Sequence, residues 1–159
     1  MNDSSIRFFA SPVLLFLIII GCRRTFIDED KKELIRLTLE TAILQEEITA
    51  YNLLKDTSTF ILSTENVKPD WVPNFPHKRI ILMSRDAIQA KANRDGDFLY
   101  LQFEPFVMQN DGGVVARLNN DWCLGKHSGQ RAGGGGIALT YYKNASIWKE
   151  GAPRKLWTW

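Results

Sequence analysis

From Asp28 to Lys55 the chain carries neither proline nor glycine. Along this stretch Leu34, Leu37, Leu44, Ile48 and Tyr51 fall on one helical stripe, with Thr41 filling its gap. The spacing predicts one long amphipathic helix. Asp28, Glu29 and Asp30 stand at its start, where the partial positive charge of a helix N-terminus favours carboxylates. Ile35, Leu39, Ala42 and Ile43 make a second apolar row beside the first. A helix with so broad an apolar face must be covered by a curved partner.

The remaining chain supplies that partner as strands. Thr57 to Thr64 is rich in β-branched and aromatic residues and predicts a first strand, and Arg79 to Met83, apolar on both faces, a more central one. Ser84 is a good N-cap for a short helix running to Asn93, with Gly96 beyond its end. From Asp97 to Met108 the pattern alternates: Leu99, Leu101 and Phe103 share one face, Phe98 and Tyr100 the other. Asp111-Gly112-Gly113 makes a turn into Val114, Ala116 and Leu118. Gly125 to Gly136 reads as a flexible loop, after which Ile137, Leu139 and Tyr141 alternate, and Lys143 to Ser146 turns the chain into Ile147-Trp148-Lys149. The expected fold is α+β: a long N-terminal amphipathic helix packed on a curved, mainly antiparallel sheet of about six strands, with one short extra helix.

Phe8 to Ile20 is a charge-free apolar run, shorter than the roughly 20 residues that span a bilayer and close to the core of a secretory signal. It leads into Ile19-Ile20-Gly21-Cys22, which resembles the bacterial lipobox. The resemblance implies that residues 1–21 are a lipoprotein signal peptide and that Cys22 takes a diacylglyceryl group and becomes the N-terminus. Residues 22–27 are then a short linker with a basic collar, Arg23-Arg24, and 28–159 a single α+β domain. The implied location is the cell envelope, lipid-anchored on the periplasmic face of a bacterial membrane. The outer membrane is slightly favoured because Arg23, not Asp, follows the cysteine. The other reading of the run is an uncleaved signal anchor with Cys22 a free thiol.

The element order from Asp28 onwards looks like the cone-shaped nuclear-transport-factor-2-like or cystatin-like folds, a plan found in bacterial lipoproteins of uncharacterised families. Such folds host isomerases, dehydratases and binding modules alike. Two functions are therefore expected: a non-catalytic binding or interaction module with an envelope protein as partner, or a cone-fold enzyme or small-ligand carrier with a pocket between helix and sheet. The first is preferred, because few chemistry-bearing residues converge.

With 2 cysteines and 2 histidines no metal site and no cofactor are expected. A net charge of +2 leaves no footprint for nucleic acid. If Cys22 is acylated, Cys123 has no internal partner. It reads as a small buried hydrophobe rather than a nucleophile paired with His127. His127 and Asp121 are the polar pair acid–base chemistry would draw on. Gly133 to Gly136 lacks the Lys-Ser/Thr of a phosphate loop and precedes a strand, so it reads as a mobile connection or as glycines admitting a close neighbour. Three prolines stiffen Lys68 to Pro76, so Trp71 and Phe75 either plug one end of the core or form a contact surface at little entropic cost. Trp157 and Trp159 close the chain as a second aromatic pair, packed on the sheet rim or free for a partner.

Overall fold

The computed structural model describes residues 26–55, 58–129 and 133–159. Helix α1 (Asp28–Leu39) runs into one π-helical turn, Glu40–Leu44, and after a break a short α2 (Tyr51–Lys55) follows. Then come β1 (Thr59–Ser63), a 3-10 turn at Pro69–Trp71, β2 (Arg79–Met83), α3 (Arg85–Asp95), β3 (Phe98–Phe103), β4 (Val107–Met108), β5 (Val114–Cys123), β6 (Gly134–Asn144) and β7 (Ile147–Thr158). The fold is α+β with a curled, mixed sheet.

The single helix expected from Asp28 to Lys55 is not formed. Its buried residues recur every four positions, as Leu34, Thr38 and Ala42 and as Ile35, Leu39 and Ile43. On a regular α-helix each such step drifts about 40° around the axis, and the wider π turn brings the later residues back over the sheet. The helix ends there. Glu46 and Ala50 take left-handed backbone angles of 60° and 57°, which turns Ile48 and Thr49 across the end of the sheet, and the Tyr51 hydroxyl ties α2 back by donating to the Ile43 carbonyl at 3.1 Å. Leu44, expected in the apolar stripe, is exposed as a result.

Among the described residues the sheet has seven strands, six of them in the order β2-β1-β3-β5-β6-β7, with β4 paired to β5. It is less antiparallel than expected, because β1 runs parallel to both neighbours. The cause is α3. With the Ser84 Oγ accepting from Ala87 N at 3.3 Å as its cap, α3 carries the chain across β1 from β2 to β3, and a helical crossover returns a strand in the parallel sense. The stretch Asp97 to Met108 is two strands, since Pro105 interrupts it.

The sheet is a wall between two apolar layers. Its inner face presents Phe60, Leu62, Leu101, Phe103, Ala116, Leu118, Ile137, Leu139 and Tyr141 to Leu34, Ile35, Leu39, Ala42 and Ile43 of the helix, all buried. Each large side chain there contributes roughly 1.5–3 kcal/mol of burial. Two of the buried polar groups in this layer are tied across it: Thr38 Oγ1 and the Tyr141 hydroxyl lie 3.1 Å apart, and Asp30 takes bonds from Lys143 Nζ, Trp148 Nε1 and Ile27 N. Asn120 donates to the Thr49 carbonyl and leaves its Oδ1 without a partner among the described residues. On the outer face, Ile88 and Ala92 of α3 cover Cys123, flanked by Ile61, Met83, Phe98 and Tyr100.

Candidate functional site

The stretch expected as a loop up to Gly136 is strand from Gly134 on. Gly136 pairs with Trp157 and Gly135 with Thr158, and the Trp159 N–H donates to the Gly134 carbonyl at 3.1 Å. Alternation along β7 puts both indoles on the outer face, above glycines that make room for them. A Cβ on Gly136 would come within 2.6 Å of Trp157 Cζ2, and one on Gly134 within 3.0 Å of Trp159 Nε1. The two rings lie 6.1 Å apart at 22°. Trp157 is half-buried, while Trp159 is 61% exposed.

Beside this aromatic pair lies a polar row. Asp121 faces Gly134 across the ladder and Asn119 faces Gly136. The Asp121 Oδ1 stands 2.6 Å from where a Gly134 Cβ would be. Burial, helped by the nearby Glu104 carboxylate, pushes the Asp121 carboxyl above its ordinary value. Glu104 accepts from Arg117 Nη1 at 3.1 Å and from Asn119 Nδ2 at 3.3 Å. An exposed aromatic anchor edged by a polar row has the composition of a protein contact surface, although the Asn119 Oδ1 in that row is buried without a hydrogen-bond partner among the described residues.

The other aromatics expected as a contact surface lie elsewhere. Trp71 is buried among the inner-face residues and Phe75 is half-buried against them. The 3-10 turn that starts at Pro69 directs Trp71 inwards, and Lys31 and Lys68 lie over its ring at 5.7 and 4.9 Å. Both lysines also pair with Asp28, and these bonds hold the Asp28 carboxyl below its ordinary value. A cleft of about 500 Å³ opens here, walled by Phe26, Val67, Trp71 and Phe106 with Lys31 and Lys68 at its rim. Nothing in the spacing of Asp28, Lys31 and Lys68 signals this meeting of two distant segments.

His127 and Asp121 are not brought together. His127 is exposed in the turn after β5, and no hydrogen bond or ion pair joins the two. That turn is pinned instead by Asp97, which accepts from Ser128 Oγ at 2.6 Å and Gly125 N at 2.7 Å. Those bonds lower the Asp97 carboxyl below its ordinary value. Cys123 is buried, its thiol 3.8 Å from the Ile88 carbonyl oxygen, and burial with the Asp97 charge pushes the thiol up, away from the reactive thiolate. Cys22 and the apolar run before it lie outside the described residues. Among the described residues no helix is long and apolar enough to cross a membrane, and no three His, Cys, Asp or Glu side chains gather to hold a metal ion.

Compared with known proteins, the chain matches no family model, no curated protein and no solved structure.

Proposed function

We propose that this is a lipid-anchored cell-envelope protein, held through Cys22, whose domain is a non-catalytic binding module with Trp157 and Trp159 as its contact surface. The supporting observation is where the two ends of one hairpin point. Phe26, four residues after Cys22, packs edge-on against Trp148 at 6.3 Å, and Trp148 pairs with Lys143 near the end of β6. The tryptophan pair lies over Gly134 and Gly136, at the other end of that strand. Ten residue steps of strand separate Gly134 from Asn144, roughly 33 Å. An anchor at the first end holds the aromatic pair well clear of the lipid, where an envelope protein on the periplasmic side can reach it.

Two measurements test this. Radiolabelled palmitate enters the wild type and not Cys22→Ala; equal labelling of both rejects the anchor. For the contact surface, the full chain is cross-linked in the envelope and compared with the Trp157→Ala/Trp159→Ala double variant. The variant keeps its membrane fraction and loses the wild type's main cross-linked band, and an unchanged band pattern rejects these two residues as the contact.

A further inference from the structure

We infer that the end of the domain around Phe26 is seated on the bilayer, with Ile27, Val107, Met108 and Ile147 reaching into its interfacial layer. The inference rests on Cys22 as the lipid attachment and extends that reading from the anchor to the folded domain. Three segments distant in sequence meet here: the Phe26 ring lies 5.5 Å from Phe106 and 6.3 Å from Trp148. The residue next to each of these aromatics points an aliphatic side chain into solvent. Ile27 is 50% exposed, Val107 48% and Ile147 62%, and Met108 beyond Val107 is 55% exposed. Among the described residues the other exposed large aliphatics are scattered, with Leu44 on the π turn, Leu53 on α2 and Leu156 towards the far end of β7.

The length of chain before Phe26 selects lipid as the occupant. Four residue steps from Cys22 reach at most about 14 Å, so an acylated Cys22 keeps this apolar end within that distance of the membrane surface. Chemistry agrees. Tyr142, also exposed and bonded to Asp111 in the neighbouring turn, has the amphipathic form favoured at lipid–water interfaces. Of the nearby lysines, Lys31 and Lys68 share the Asp28 carboxylate and Lys143 pairs with Asp30. Lys149, exposed opposite Tyr142 on the ladder, has a stem long enough to keep its ammonium in water at the headgroup level while the aliphatic residues go deeper. Aliphatic area, not net charge, supplies the attraction.

The test uses the full chain in phosphatidylcholine vesicles, with an environment-sensitive fluorophore on Val107→Cys, Ile147→Cys or, as far-end reference, Leu156→Cys. Lipids brominated high on the acyl chain are the quencher, and the unsubstituted chain is the labelling blank. Quenching at 107 and 147 should exceed that at 156 by about threefold or more. Equal quenching at all three positions, or more at 156, overturns the proposal. Probes at 107 and 147 that are blue-shifted yet unquenched overturn it as well, because protein rather than lipid then covers this end. Palmitate incorporation on the same preparation keeps the two readings apart. Acylated protein with unquenched probes overturns the seating and leaves the anchor, whereas in unacylated protein the contrast between 107 and 156 still decides the seating, since the apolar run ends close to Cys22.

Discussion

Asp30 joins three parts of the chain, accepting from Trp148 Nε1 at 3.0 Å, from Ile27 N at 3.3 Å and from Lys143 Nζ. Burial acts to raise its carboxyl pKa, but the bonds from Lys143, Trp148 and Ile27 outweigh burial and hold it below the ordinary value of 3.8. A folded pKa below the unfolded one gives stability that is complete above the unfolded value and is lost as pH falls through the folded value. Asp30→Asn should therefore cost about 2–3 kcal/mol at neutral pH, and its gap from the wild type should close as the pH drops below about 4; thermal melts across that range measure both. Asp121 has the opposite sign. Its pKa is raised by burial and by Glu104, so the charged form opposes folding once the pH exceeds the folded value. Asp121→Asn should stabilise the protein at neutral pH by under about 1 kcal/mol, with the gain gone in acid; a lower melting temperature at neutral pH would contradict this. Trp71 packs in the inner layer, so Trp71→Ala should cost about 3–5 kcal/mol, measured as a large fall in the denaturation midpoint.

At the scale of elements, period-two alternation was the most legible signal: Leu99, Leu101 and Phe103 lie inward, and Ile137, Leu139 and Tyr141 are buried opposite the helix. The helix was legible in its start and its buried rows but not in its end, because left-handed angles at Glu46 and Ala50 are imposed by packing on residues with no preference for them. The parallel pairing of β1 was hidden for a similar reason, since handedness and crossover follow from three-dimensional return of the chain rather than from composition. The glycines before Ile137 were legible only as a choice between mobility and close approach. The structure supplies the approach, with the Leu118 carbonyl oxygen and Trp157 both 2.6 Å from a would-be Gly136 Cβ. Gly136→Ala should cost about 1–3 kcal/mol and shift the tryptophan emission as Trp157 is displaced. Gly129→Ala, where nothing lies within 4 Å, should do neither. Equal behaviour of the two variants in melts and fluorescence would remove the close-packing role assigned to the glycine strand.

Across the whole molecule, one sheet stabilises two layers of very different size. The inner layer gathers residues from α1, α2, the Trp71 loop and five of the strands. The outer layer rests on Ile88, Ala92 and Cys123. Opening α3 alone exposes little apolar area, so it should need less free energy than dismantling the inner layer. Other ties of α3 are at the surface: the Ser84 cap and a bond from Gln89 Nε2 to the Leu124 carbonyl at 2.9 Å, each contributing about 1 kcal/mol, with Arg85 3.9 Å from Glu65 and Lys91 over the Phe98 ring. Cys123 reports this event directly, because α3 covers its thiol while Trp71 and Trp148 lie in the other layer. In a urea titration, alkylation of Cys123 should become fast at a lower concentration than the midpoint of the tryptophan fluorescence change. Substituting Ile88→Ala should widen that interval by weakening the outer layer, with little movement of the fluorescence midpoint. Coincident thiol and fluorescence curves in both proteins would mean that the sheet transmits every loss from one face to the other, and that α3 unfolds only with the whole.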